Sequence, residues 1–387
     1  MGEKIVSVKQ VYGEPLEYIM CEDSSDNFIQ IKSKGEEKAN ILAMIPSKIM
    51  APQDFQQKFA DVESNKITYQ EFIEGTFVCL FYDERICGWE LATKKSIGCN
   101  NWYIRNEYKV GNFAHQLTFR QMFVECMGEP FDKDLNETSF LKELPKPCCY
   151  HFVIQHPSNK MVLNIQTPKA YLVDVYEITP DSFIHTERSD YMEWPSLKNL
   201  TQIHYPATYD LSFSNVFDNV FMNGFFEEHN GQGLMIVEKA CGAQTLIEDF
   251  EYVKCKELRG NHPNLQYLYL SLLQQRKLSQ FLNVFTEYKG LFGDFFEELK
   301  QYVHELHQSY VSYYVLKKGD NISKKYFPLV YRLHHEVYLV EKEKDPSLVM
   351  KRGVVDKYVR NLEIGSLMYY LNYEEKQKPK EEEKTEQ

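Results

Sequence analysis

The stretch Tyr69-Gln-Glu-Phe-Ile-Glu-Gly-Thr-Phe-Val-Cys-Leu-Phe-Tyr82 decides how the first two-thirds of the chain is read. β-Formers and aromatics stand on both sides of Glu74-Gly75-Thr76, so the run reads as strand. Glycine weakens a strand interior and marks a bend, or a place where another backbone or a ligand comes close. The segment is therefore either a kinked strand and nothing more, or a strand that belongs to a binding site. Its surroundings weigh on that choice.

Short strand-like runs continue on both sides, at 27–31, 41–44, 76–81, 88–92, 150–155, 161–166, 170–178 and 233–237. Turn formers such as Pro157-Ser158-Asn159 and Asn230-Gly231 separate them, and the runs flanking Pro157 look like a hairpin. Helical spacing appears at 116–127, through Leu117, Met122, Phe123 and Cys126, and again within 208–226. The phenylalanines 213, 217, 221, 225 and 226 in the latter read as core rather than as a base-stacking platform.

Beyond about residue 256 the pattern changes. Apolar residues recur every three or four positions over 265–273, 278–289, 292–316, 324–343 and 354–371, with breaks at Gly290, Gly319-Asp320-Asn321 and Asp345-Pro346. This predicts a helical domain of four or five helices. His304 and His307 share one face of it, but no carboxylate–histidine pattern surrounds them, so they read as partly exposed helix histidines.

Composition narrows the function classes. The 387 residues, 43% of them hydrophobic, suffice for a sizeable core and suggest two domains. A net charge of −12 argues against a general basic coat for nucleic acid, though a local basic groove is compatible with it. Residues 374–387, EEKQKPKEEEKTEQ, lack large apolar side chains and are expected to be disordered. No run of about eighteen apolar residues suggests a membrane span. The first fifteen residues show no apolar signal segment, and Met1-Gly2 with Ser7 fits a myristoylation pattern only loosely. Nine scattered cysteines without a C-x-x-C pair suggest reduced thiols and no metal site. Walker-type, G-x-G-x-x-G and G-x-S-x-G loops are absent.

Five blocks occur in a fixed order: Glu74-Gly75-Thr76; Trp89 to Gly98 with Lys94-Lys95; Tyr150 to Val162 around Pro157; Gly231 to Lys239; and Phe250 to Leu265 with Arg259-Gly260-Asn261. In that order they resemble the phage-type RNA ligases and their relatives in large DNA viruses, members of the covalent nucleotidyltransferase superfamily. The resemblance covers roughly residues 40–270. It implies an ATP- and Mg²⁺-dependent reaction in which a lysine takes up AMP as a phosphoramidate, carboxylates hold ribose and metal, and basic residues neutralise the triphosphate.

Set on this sequence, the resemblance finds much of that chemistry missing. The nucleophile slot three before Gly75 holds Phe72, and Lys66, six residues earlier, is a weak substitute. The glutamate slot four before Pro157 is Val153, and the Glu-Gly pair of the fourth block is Gln232-Gly233. The final K-x-K is either Leu246-Ile247-Glu248, with both lysines lost, or Lys254-Cys255-Lys256, read as a strand with both lysines on one side. Residues implied to touch nucleotide or phosphate are Glu74, Gly75, Thr76, Lys94, Lys95, Gln232, Lys239, Lys254 and Lys256. Each also has an ordinary structural reading: a kinked strand, a solvated turn at Lys94-Lys95, an exposed face at Lys254 and Lys256, a domain junction near Arg259.

The expectation is an α+β protein. A nucleotidyltransferase (ligase-like) domain of antiparallel sheets with helices spans 1–255, an α-helical C-terminal domain 256–373, and a charged tail the rest. The implied function is an RNA-ligase-like protein without covalent catalysis, binding a nucleotide or the end of a single-stranded RNA, or acting as a scaffold. An active ATP-dependent RNA ligase with a displaced nucleophile is the first alternative. A structural or virion-associated protein with partner contacts on the helical domain is the second. The expected setting is cytoplasmic, a viral factory or virion included, without a membrane partner. No resident cofactor is expected unless the chain is active.

Overall fold

A computed structural model describes residues 4–11, 14–22, 28–34, 40–46, 49–104, 117–229, 231–239, 242–318 and 322–374. Met1-Gly2, Asn27, Asn230, Gly319-Asp320-Asn321 and the charged tail from residue 375 lie outside them. The fold is α+β. Its contacts divide it into one compact unit of residues 1–103 and 116–259, and a second of 104–115 and 260–387.

The first unit holds three sheets. β1 (Lys4–Val11), β2 (Glu14–Glu22), β3 (Phe28–Lys34) and β4 (Ile41–Pro46) form an antiparallel meander. After it come β5 (Ile67–Glu71), β6 (Thr76–Asp83), β7 (Gly88–Ala92), β8 (Cys148–Gln155), β9 (Lys169–Ile178) and β10 (Phe183–Thr186). They are followed by β11 (Ile203–His204), β12 (Thr208–Tyr209), β13 (Gly233–Glu238) and β14 (Gln244–Glu248). The central sheet runs β10-β9-β8-β6-β7 with β11 on β9, and the third runs β12-β5-β13-β14.

β6 shows why the layers form. Alternate residues of a strand face opposite sides, and both sides of β6 are apolar. Val78 and Leu80 pack with Phe119, Met122 and Phe123 of the helix Phe119–Cys126. Cys79 and Phe81 pack with Ala43 and Ile45 of β4. The central sheet is thus sandwiched between a helix and the N-terminal sheet. That helix starts at a capping box in which Thr118 accepts from the Gln121 amide and the Gln121 side chain takes the Thr118 amide. Phe225 and Phe226 are buried in the core of the third sheet with Phe213 and Phe217 packed against it, as the core reading of that cluster expects, whereas Phe221 is exposed.

Five expectations need correction. The run 69–82 is two strands in two different sheets, because the chain leaves β5, crosses at Phe72–Gly75 and enters β6. Residues 161–166 are not a strand, since the Val162 and Leu163 amides donate to the Glu74 carboxylate instead of to a ladder. β8 pairs with β9 from Gln155↔Lys169 onward, so a long loop replaces the tight hairpin at Pro157. The helix expected within 208–226 begins only at Asn219, where Asp218 accepts the Phe221 amide, while Thr208 and Tyr209 pair with β5. Lys254 and Lys256 stand on the helix Phe250–Arg259 rather than on a strand. Asp249, accepting the Tyr252 amide at 3.0 Å, caps that helix and ends the β segment.

The second unit is helical among its described residues. Leu265–Gln274 is capped by Asn264, and the long helix Lys289–Tyr310 buries Phe292, Phe295, Leu299, Tyr302, Val303, Leu306 and Tyr310 along one stripe. Gly290 lies inside that helix and is not a break. The run 354–371 divides into Arg352–Arg360 and Ile364–Leu371, the second opened by Glu363 accepting the Gly365 and Ser366 amides. No helix of the described residues is long and apolar enough to cross a membrane.

Candidate functional site

The crossover Phe72–Gly75 has two faces. On one, the buried Glu74 accepts the Val162 amide at 2.9 Å and the Leu163 amide at 3.2 Å on Oε1, and the Tyr252 hydroxyl at 2.9 Å on Oε2. Burial, then the charge and hydrogen bond of Glu74, push the Tyr252 hydroxyl far above its ordinary pKa, so it stays a donor. Next in the chain, Thr76 Oγ1 accepts the Asn159 side-chain amide at 2.7 Å. Glu74 and Thr76 thus hold the loop after β8 in place, and Glu74 also holds the helix Phe250–Arg259.

Gly75 is fixed by a close backbone approach. A Cβ there would meet the Ile154 carbonyl oxygen at 2.4 Å and Val153 Cγ1 at 2.7 Å. The neighbour that requires glycine is therefore β8. Gly233 behaves alike, since its Cβ would meet the Ile247 oxygen at 2.8 Å.

The other face lines a cavity of about 190 Å³. Phe72, Gly75 and Phe77 come from the crossover and β6, Lys94 from the turn after β7, Val153 from β8, and Met235 and Gln244 from β13 and β14. Four separated sequence blocks therefore meet at one hollow, mostly apolar, with one amine. Burial lowers the Lys94 pKa, and its Nζ lies 5.9 Å from the Phe77 ring centroid. Two carboxylates also line the cavity. Glu71 accepts the Ala207 amide at 3.2 Å, and Asp174 lies 2.8 Å from His185 Nε2. Small-molecule pockets usually run to about 300–1,000 Å³, so this one has room for one moiety of a larger ligand.

The other singled-out residues lie elsewhere. Glu74 and Thr76 are absent from the lining. Lys95 is exposed in the turn that follows β7. Gln232 is half-buried, and its carbonyl takes the Asp249 amide. Lys239 pairs with Glu187 at 3.0 Å and, with Lys66 and His185, lines a different cavity of about 430 Å³. Lys254 and Lys256 are exposed and pair with Glu251 and Glu248. The strand after β13 is β14, so the strand register at that block is Leu246-Ile247-Glu248. Phe72 meets Tyr252 edge to face, with ring centroids 5.9 Å apart. A larger cavity of about 440 Å³, beside Asp83 and Arg85, contains none of these residues.

His151, Asp174 and Gln244 were not anticipated. A period-2 signal was present for His151, which shares a strand face with Val153. Asp174 becomes visible only through the pairing of β9 with β8.

Mg²⁺ takes a set of oxygen ligands, and among the described residues no cluster of three carboxylates forms at the cavity. The family's carboxylate slots here hold Val153 and Gln232. Glu71 and Asp174 are the carboxylates at the cavity, and Mg²⁺ commonly takes one or two beside substrate phosphates. A covalent lysine–AMP bond does not fit the nucleophile slot, because Phe72 offers no amine.

No protein-family model matches the chain. Over 111 residues it is 29% identical to an RNA ligase of Rhodothermus phage RM378, a match covering 29% of this chain and 23% of the phage protein. The chain thus spans less than a quarter of that relative's length. Among solved structures, an archaeal ATP-dependent RNA ligase (form 2) overlaps 77% of this chain and 76% of its own at 9% identity, with a TM-score of 0.41. A Naegleria gruberi RNA ligase mutant with AMP and Mn overlaps 65% of this chain and 97% of its own at 9% identity, with a TM-score of 0.34. The motif blocks and the phage match agree that the chain is RNA-ligase-like.

Proposed function

We propose that the cavity behind the crossover binds part of a nucleotide, or of an RNA end, without taking it up covalently at the family position. One observation carries the reading: the ligase-like blocks converge on a single hollow whose nucleophile slot is filled by Phe72. Apolar walls accept a base, and the Lys94 ammonium supports a nearby phosphate as a point charge. The amine is more weakly hydrated there than on the surface, which strengthens such a contact.

A second reading has one specific observation behind it. Lys94 is the amine of this cavity, and burial shifts it towards the neutral, nucleophilic form. It would replace the displaced nucleophile that Lys66, at another cavity, is not placed to supply. Incubation with α-³²P-ATP and a divalent cation, followed by denaturing gel electrophoresis, separates the two. The first reading expects reversible ATP binding, weakened by Lys94→Met, and no labelled chain. A labelled band lost in Lys94→Met would install the second. No binding of ATP, AMP or single-stranded RNA at low salt would remove both and leave a structural protein. RNA binding through phosphates should weaken steeply as salt rises.

A further inference from the structure

Cys79 on β6 lies far in sequence from the Cys149–His151 pair on β8, and that separation hides the group from any spacing rule. The antiparallel register sets Cys79 opposite His151 and Phe81 opposite Cys149, so all three side chains fall on the face towards β4. Their ligand atoms, Sγ, Sγ and Nε2, lie within 4.8 Å of one another, and all three residues are buried. Cys149 Sγ is 3.9 Å from His151 Nε2.

The hydrogen bonding of this cluster is oversubscribed. All three groups point at one atom, the Met44 carbonyl oxygen, at 3.7 Å from Cys79 Sγ, 3.8 Å from Cys149 Sγ and 2.6 Å from His151 Nε2. A carbonyl oxygen has two lone pairs and cannot serve three donors well. His151 Nδ1 is buried without a hydrogen bond. One cation in the middle would satisfy Cys79 Sγ, Cys149 Sγ, His151 Nε2 and the Met44 oxygen at once, leaving Nδ1 as it stands.

We propose that Cys79, Cys149, His151 and the Met44 carbonyl form a structural site for a thiophilic divalent cation, Zn²⁺ foremost. With Zn–S near 2.3 Å and Zn–N near 2.0 Å, tetrahedral geometry sets sulfur and nitrogen about 3.5 Å apart. The observed 3.9 Å needs a contraction of a few tenths of an ångström. The imidazole and the carbonyl must separate somewhat from 2.6 Å. Binding releases both thiol protons, and two thiolates then neutralise the dication, so no net charge is buried. The donor set of two sulfurs, one imidazole and one carbonyl selects against Mg²⁺ and Ca²⁺. His151 also lines the cavity beside Lys94, which gives the ion a route inward. The ion would fasten β4, and with it the N-terminal sheet, onto β6 and β8. It stands independently of the nucleotide reading.

The test is a Co²⁺ titration of the reduced full-length protein, followed by displacement with Zn²⁺ and elemental analysis. Expected are one equivalent per chain, thiolate-to-Co²⁺ charge-transfer absorption, loss of that band in Cys149→Ser, and its retention in Cys87→Ser, whose thiol is exposed. Chelation should lower the thermal midpoint of the Zn²⁺-loaded chain by several degrees. A folded, reduced wild-type chain without the band overturns the proposal, whether or not the variants fold. So does a band that survives in both Cys79→Ser and Cys149→Ser.

Discussion

The two faces of the Phe72–Gly75 crossover invite comparison. On one, the Glu74 carboxylate takes two neighbouring amides of the loop after β8 and a phenol from the helix Phe250–Arg259. On the other, Phe72 meets one ring edge and borders open space. Within four residues the chain passes from a buried, hydrogen-bonded carboxylate to a half-buried ring that borders a cavity. The difference teaches that a ligase-like motif can survive for packing reasons on one face while its chemistry changes on the other.

The sharpest way to break this comparison is Phe72→Lys. If the hollow still has the shape of a nucleotide site, the variant should gain a covalent AMP adduct where the wild type shows none, read by label incorporation. Failure to gain it in a folded variant would mean the shape is gone as well. Glu74→Ala tests the saturated face. It strands two amides and a hydroxyl, and urea unfolding should show a loss of about 3 kcal/mol. Gly75→Ala forces β6 away from β8 and should cost about 1–3 kcal/mol by the same measurement. Tyr252→Phe removes one hydrogen bond to a carboxylate and should cost about 1.5 kcal/mol, non-additively with Glu74→Gln in a double-mutant cycle.

The smallest effect concerns pH. Burial opposes protonation of His185, but the hydrogen bond and charge of Asp174 outweigh it, so the folded pKa is raised. A raised folded value stabilises fully below the unfolded pKa of about 6.5, and that contribution disappears as pH rises through the folded value. The wild type should therefore gain about 0.5 kcal/mol over Asp174→Asn at pH 6 relative to pH 8. An equal difference at both pH values would sink the assignment.

The α+β division was legible because periods of two and of three to four are local properties of the sequence. Strand 88–92 and the helical run from Leu265 could be read in that way. The sheet change inside 69–82 could not, since both strands carry the same pattern and the close approach of the Ile154 backbone to Gly75 shows only in three dimensions. The loss of strand at 161–166 has the same origin, for its amides are claimed by a carboxylate 88 residues away in sequence. At the cavity, Phe72, Gly75, Lys94 and Val153 could be named beforehand from the motif order. Asp174 and Gln244 arrive through strand pairing, and Cys79 with Cys149 through register, so none of them leaves a trace in local spacing.

The wiring of Glu74 has an evolutionary consequence. A lineage that stopped transferring nucleotides would no longer be under selection for its reactive lysine, and a phenylalanine could spread there unopposed. The same lineage could not discard Glu74 without weakening the folded chain, whatever the chain now does. A carboxylate wired in this way is retained by folding, and its persistence says nothing about whether the chain transfers nucleotides.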